Sequence, residues 1–340
     1  MSVNSRERAD AGSSGRRGHW QTRPTLGPVR IVFAGTPGTA VPTLEAILGS
    51  RHEVAAVLTR PEAPSGRGRK LVPSPVAEHA AARGLEVLTP SKPSDPDFLD
   101  RLRAIAPACC PIVAYGGLLQ RDALDIPEYG WINLHFSVLP AWRGAAPVQR
   151  SIMAGDEVTG ATVFSLVEEL DAGPILGTIT ERIRDDDTAG TLLDRLAREG
   201  AALVVDALDH IEDGDIAAHP QPEEGVSYAA KLSTDDAHVD WGRPAFAVDR
   251  QIRGCTPEPG AWTMLGDERL KLGPVRVAED AAPDSHGLEP GRLDVGKREV
   301  RVGTATTDIV LGDVQSFGRK RMPAADWARG TTFADVPAFS

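Results

Sequence analysis

Asn133 and His135 stand two residues apart in the segment Gly130-Trp131-Ile132-Asn133-Leu134-His135, and the period-2 alternation of a strand sends both side chains to one face. An amide and an imidazole therefore share a surface. Another strand-like run, 161–167, enters the polar turn Glu168-Glu169-Leu170-Asp171-Ala172-Gly173, which carries a carboxylate, Asp171. Amide, imidazole and carboxylate are what acyl transfer needs when the substrate brings its own nucleophile: Asn133 and His135 can stabilise the oxyanion, and Asp171 can orient His135 and aid proton transfer. Ser137 follows closely but has no Gly-x-Ser-x-Gly setting to activate it. One histidine, one aspartate and an amide also make a poor metal set, so no metal is expected.

The elements that must hold these groups follow from the pattern. The strand at 130–135 stops at Ser137, a turn runs through Pro140, and Arg143-Gly144 leads to Pro147, a favourable first residue for a helix. Earlier, a strand at 30–34, the turn Gly35-Thr36-Pro37-Gly38, a helix around Val41, Leu44 and Leu48, and a strand at 54–59 open a βαβ unit. That turn is not G-x-G-x-x-G, and the second strand ends in Thr59-Arg60 where an NAD site carries an acid, leaving NADP, which Arg60 could serve, as the dinucleotide alternative. Helix-period runs at 76–83 and 98–105 alternate with strand-like runs at 85–88 and 108–113, the latter opening into Ala114-Tyr115-Gly116. A strand at 174–183 and a helix at 191–211 complete an α/β domain over 29–212 whose polar residues gather at strand carboxyl ends, where such sheets bind ligands.

Residues 60–75 hold too much Pro and Gly for an element and read as one long basic loop, Arg67, Arg69 and Lys70 being carried on glycines. Residues 213–226 read as a linker. From 227 to 335 a helix at 244–253 and strands at 261–265, 270–277, 300–304 and 309–314 describe a small β domain, with a basic cluster at Arg319-Lys320-Arg321. The net charge of −11 excludes bulk attraction to phosphate, though not a local basic patch. The three cysteines, Cys109, Cys110 and Cys255, form neither a disulfide framework nor a zinc spacing and read as core. No apolar run approaches the roughly 18 residues of a membrane span, and a cytoplasmic location is expected. Residues 1–28 are Arg-, Ser- and Gly-rich without periodicity and read as a disordered extension.

Asn133-x-His135, Ser137-x-Leu139-Pro140 with Arg143-Gly144-Ala145-Ala146-Pro147, and Leu170-Asp171-x-Gly173 together resemble the signature of the folate-dependent formyltransferases. Phe33-Ala34-Gly35-Thr36-Pro37, Gly66-Arg67-Gly68-Arg69-Lys70, Tyr228-Ala229-x-Lys231-Leu232, Asp240-Trp241, Pro259-Gly260-Ala261-Trp262-Thr263 and Gly318-x-Lys320-Arg321-Met322 extend the resemblance from Arg30 to near the C-terminus. The later groups are similar to the branch of that family that acts on methionyl-tRNA. The resemblance implies a Rossmann-like catalytic domain followed by an OB-like barrel, with 10-formyltetrahydrofolate as co-substrate and initiator methionyl-tRNA as partner, the chain acting as a monomer. It implies that Asn133, His135 and Asp171 are catalytic, and that Val113, Tyr115, Gly116, Ser137, Val138, Leu139 and Pro140 line the folate pocket. For tRNA it implies Arg67, Arg69, Lys70, Arg143, Lys231, Arg319, Lys320 and Arg321. Two departures stand out: Val138 replaces the usual Leu, and Pro61-Glu62-Ala63-Pro64 lacks an Asp-Arg pair. The competing readings are a formyltransferase for a small amine such as a nucleotide sugar or glycinamide ribonucleotide, a non-catalytic RNA-binding protein, and an NADP oxidoreductase.

Overall fold

The computed structural model describes residues 27–65, 70–278, 287–333 and 336–340. The extension expected over 1–28 lies, up to residue 26, outside the described residues, as do Arg67 and Arg69.

β1 (Arg30–Gly35), α1 (Val41–Leu48) and β2 (Glu53–Leu58) form the expected opening unit, the two strands pairing in parallel. Residues 60–75 are not one loop. Within them β3 (Ala63–Ser65) pairs antiparallel with β4 (Lys70–Val72), Pro64 standing opposite Leu71. Proline content spoke against an element here, yet a two-stranded ribbon is all edge, where a missing N–H is tolerated.

α2 (Pro75–Ala82) starts where the Ser74 hydroxyl accepts the Ala77 N–H at 3.0 Å, a side-chain cap. β5 (Val87–Leu88), α3 (Pro96–Ile105), β6 (Cys110–Val113), the single turn α4 (Arg121–Leu124), β7 (Trp131–His135), β8 (Arg143–Gly144) and α5 (Pro147–Ala154) follow. Proline does open α5. After β9 (Val158–Ser165) and β10 (Ile175–Arg182), a reciprocal Thr188–Thr191 capping box starts α6 (Ala189–Asp213), which Gly214 ends at φ 73°.

Seven strands make one sheet in the order β10-β9-β7-β6-β1-β2-β5, parallel from β7 to β5 with β9 and β10 antiparallel at one side. The parallel strands are apolar on both faces because helices cover both. Leu44, Val76, Ile152 and Leu196 bring α1, α2, α5 and α6 onto one face, while Phe98 and Leu102 of α3 pack with Val32, Leu58 and Trp131 on the other. This is the Rossmann-like layering expected. From β1 the chain continues to β2 on one side and to β6 on the other, so their carboxyl ends flank a topological switch point.

The remainder comprises β11 (Tyr228–Ala229), α7 (Ala245–Gly254), β12 (Trp262–Leu265), β13 (Glu268–Leu272), β14 (Arg276–Val277), β15 (Leu293–Val295), β16 (Val300–Val302), β17 (Ile309–Val310), β18 (Asp313–Ser316), β19 (Met322–Pro323) and α8 (Ala324–Arg329). Two four-stranded antiparallel sheets, β12-β13-β18-β19 and β14-β17-β16-β15, enclose a core that includes Trp241, Ile252, Val302, Trp327 and Phe339. The runs expected as single strands at 270–277 and 309–314 are each broken, at 273–275 and 311–312, and the broken pair turns from one sheet into the other.

Residues 213–226 are not a free spacer. His219 and Ile175 exchange backbone hydrogen bonds at 2.9 and 2.7 Å, and β11 then pairs in parallel with β8. Arg150 donates to the Ala230 carbonyl at 3.1 Å and Arg253 to that of Asp187 at 3.0 Å, so the two halves share a hydrogen-bonded seam. All three cysteines are buried, and desolvation pushes the Cys109 thiol up to about 12. Among the described residues no helix is long and apolar enough to cross a membrane.

Candidate active site

β7 sets Asn133 opposite Ile112 of β6 and Phe164 of β9, and His135 opposite Thr162. The imidazole is 5 % exposed and stands edge-on to the Phe164 ring, centroids 6.3 Å apart at 86°. Its Nε2 lies 2.8 Å from the Trp142 carbonyl oxygen. A carbonyl only accepts, so Nε2 carries the hydrogen and the neutral ring keeps its lone pair on Nδ1. Nδ1 faces Asp171 Oδ2 at 3.7 Å, wider than a hydrogen bond. Burial pulls the His135 pKa below its ordinary value, against the upward pull of the Asp171 charge and the Trp142 carbonyl.

Asp171 reaches this position on a turn that only certain residues allow. Its Oδ2 accepts the Gly144 N–H at 2.7 Å, and its backbone sits at φ 47°. The turn closes with Ser165 N–H donating to the Pro174 carbonyl at 2.9 Å, and a Cβ on Gly173 would stand 1.7 Å from the Ser165 oxygen. Glycine is the only residue that fits. Trp142, on the facing loop, is also left-handed at φ 62°, held by Ser227 Oγ on its N–H at 2.9 Å and by Asp156 on its indole at 2.8 Å. Strained backbone thus gathers around the imidazole, where surrounding contacts over-determine it. The half-buried Asn133 amide makes no hydrogen bond with any described residue and remains an open donor.

The residues implied for folate fall in two places. Val113 and Tyr115 are buried, Ala114 between them is left-handed at φ 48°, and Gly116 is exposed at φ 76°, its carbonyl accepting from Arg60 at 2.9 Å. In the second place, Thr162 Oγ1 donates to the Ser137 carbonyl at 2.7 Å and accepts the Leu139 N–H at 3.2 Å, which fixes the loop beside His135. The Ser137 hydroxyl donates to the Ala141 carbonyl at 2.6 Å and so braces the loop. Leu139 is buried, Val138 and Pro140 half-buried, and the Leu139–Pro140 peptide is cis.

A cavity of about 720 Å³ was not foreseen. Leu124, Tyr129, Trp131, Leu166, Val167 and Glu168 line it. Its signal was present in the sequence: Trp131 shares the strand face of Asn133, and 166–168 lead directly into the Asp171 turn.

Gln221 was also missed, lying in the expected linker. Its amide donates to the carbonyls of Asp171 and Gly173, at 2.7 and 2.8 Å, while its oxygen accepts from Arg143 at 2.8 Å. Arg143, expected among the tRNA contacts, is 7 % exposed, and its guanidinium donates to Gln221 and Glu169. Lys70, Lys231, Arg319, Lys320 and Arg321 are exposed.

Residues 29–208 match the family described as formyl transferase, and residues 231–332 match the formyl transferase C-terminal domain. The chain belongs to the formyl transferase family. Within it, this formyl transferase is 62 % identical over 302 residues to a methionyl-tRNA formyltransferase of a Nocardioides species, covering 89 % of this chain and 95 % of that one. It is 59 % identical to the protein of the same name from Thermobifida fusca, over 92 % of this chain and 99 % of the relative. Among solved structures, HypX from Aquifex aeolicus in complex with tetrahydrofolic acid shares the fold at TM-score 0.62 and 17 % identity, over 92 % of this chain and 51 % of that one. Methionyl-tRNA formyltransferase from Clostridium thermocellum does so at TM-score 0.55 and 12 % identity, over 74 % and 95 %.

Proposed function

We propose that this formyl transferase moves the formyl group of 10-formyltetrahydrofolate to the α-amino group of methionyl-initiator tRNA, acting as a cytoplasmic monomer. The observation that carries the reading is the juxtaposition of His135 Nδ1, Asp171 and the unpartnered Asn133 amide. It occurs in a chain about three-fifths identical, over nearly its whole length, to proteins named for that reaction. That these relatives match over 95 % and 99 % of their own length, C-terminal part included, favours tRNA over a small amine as acceptor.

The pterin fits the cavity beside Trp131. Its volume of about 720 Å³ is that of a small-molecule site, and its apolar wall ends in Glu168, an acceptor for ring N–H groups. The loops at 113–116 and 137–140 would border the rest of the donor.

His135, neutral at pH 7, offers Nδ1 to the ammonium form of the amine and takes a proton. The freed amine attacks the formyl carbon; a carbon–nitrogen bond forms and the carbonyl electron pair moves onto oxygen. Asn133 donates a hydrogen bond to that oxyanion, worth roughly 3 kcal/mol when preorganised. The imidazolium, now with a hydrogen on Nδ1 as well, can donate there too, and Asp171 offsets its charge. The attacking nitrogen releases its second proton to solvent, the imidazolium passes its own proton to N10 of the folate, and collapse breaks the carbon–N10 bond as tetrahydrofolate leaves. Arg67, Arg69, Lys70, Lys231 and the cluster 319–321 would supply phosphate contacts.

Incubation with 10-formyltetrahydrofolate and, separately, charged initiator tRNA, charged elongator methionine tRNA and free methionine tests this reading. Formyl transfer to the initiator species alone is expected. Transfer to small amines and to no tRNA would overturn it.

A further inference from the structure

The turn between β18 and β19 holds Phe317 with 94 % of its surface exposed, more than any other large apolar side chain among the described residues. The ring is displayed by a fixed tip. Gly318 takes φ 73°, the Arg319 N–H donates to the Ser316 carbonyl at 3.1 Å, and the Gln315 amide donates to the Arg319 carbonyl at 2.8 Å. Leaving a phenyl ring in water forgoes about 2 kcal/mol of burial, so the fold gains nothing from it there.

Two comparisons within the same domain sharpen the point. Trp262 is covered by the Arg269 guanidinium at 3.9 Å and stacked on His238 at 4.1 Å, and Phe246, though exposed, has the Arg250 guanidinium 5.2 Å from its centroid. Phe317 has no such cover among the described residues. Arg319, Lys320 and Arg321 follow it, all exposed, and none forms an ion pair with a described residue. In a chain of net charge −11, where Arg51, Arg101, Arg121 and Arg195 each pair with a carboxylate, three adjacent unpaired cations are an exception.

One bare aromatic ring followed in the chain by three exposed cations is too small for an apolar protein contact and matches a nucleotide: the ring takes a base, the cations neighbouring phosphates. We propose that Phe317 stacks on an unpaired base of the bound tRNA, with Arg319, Lys320 and Arg321 on the adjoining backbone. The inference rests on the proposed tRNA acceptor and adds to it a residue that contributes binding without charge.

The test compares the full chain with Phe317→Ala, Phe317→Trp and Phe317→Leu, measuring Kd for methionyl-initiator tRNA at several salt concentrations and the steady-state constants for formyl transfer. Phe317→Ala should raise Kd and KM for tRNA about tenfold, leaving kcat and the folate KM unchanged. Its salt dependence should match the wild type, because stacking releases no counterions, whereas Arg319→Ala should flatten it. Tryptophan should restore binding within about twofold and leucine should not. Unchanged tRNA binding in Phe317→Ala, or full rescue by leucine, overturns the stacking role. A wild-type protein that binds tRNA but formylates none refutes the proposed reaction, and the Kd series still decides Phe317.

Discussion

Gln221 holds Asp171 by its main chain: the side-chain amide donates to the Asp171 carbonyl at 2.7 Å while Arg143 occupies the amide oxygen at 2.8 Å. The carboxylate facing His135 is therefore positioned from a segment fifty residues further along the chain. Removing that amide leaves two turn carbonyls and a buried guanidinium short of partners. Gln221→Ala should lower kcat about tenfold and Tm by a few degrees, with Gln221→Glu failing to restore the donor. Wild-type kcat in Gln221→Ala would show that the turn stands without it.

Asn133→Ala and His135→Ala should each lower kcat by about a hundredfold or more if, as proposed, one removes the oxyanion donor and the other the base. Circular dichroism should remain that of the wild type. Near-normal turnover in His135→Ala would exclude the imidazole from the chemistry.

The pH profile has a definite sign. Burial holds His135 below the ordinary histidine pKa, and the Asp171 charge opposes that shift. Activity should fall on the acid side as Nδ1 protonates, with an apparent pKa below about 6.5. Asp171→Asn removes the upward pull, so the acid limb should move to lower pH while the plateau drops. The unfolded chain takes up this proton at higher pH than the native one, so His135 makes the fold less stable as pH falls through its ordinary value. A limb that moves to higher pH in Asp171→Asn would contradict the arrangement.

Gly173→Ala should be as damaging as loss of Asp171, because its Cβ would lie 1.7 Å from the Ser165 carbonyl and the turn would have to open. Activity should fall by about a hundredfold, and if the cavity beside Trp131 holds the folate as proposed, its altered wall should be read as a raised folate KM. Gly214→Ala, at the C-terminal end of α6, should cost only about 1 kcal/mol of stability and leave kcat alone.

What the sequence by itself determined is what local periodicity and turn chemistry carry. Alternation in β7 put Asn133 and His135 on one face, Pro147 marked the start of α5, and the glycine-flanked turn marked Asp171; each depends on residues within a few positions of one another. The layering of the sheet followed from the succession of strands and helices. The remainder depended on contacts distant in sequence. Gln221 reads as a linker residue until His219 pairs with Ile175 and brings it over the Asp171 turn. Arg143 reads as a free cation until Gln221 and Glu169 close around it. Only the folded chain orients the imidazole, because the Trp142 carbonyl that claims Nε2 is itself placed by Ser227, 85 residues away. Periodicity can set the face on which a side chain lies, but its hydrogen-bond partners and desolvation, and hence its protonation state, are set by whatever the tertiary structure packs against it.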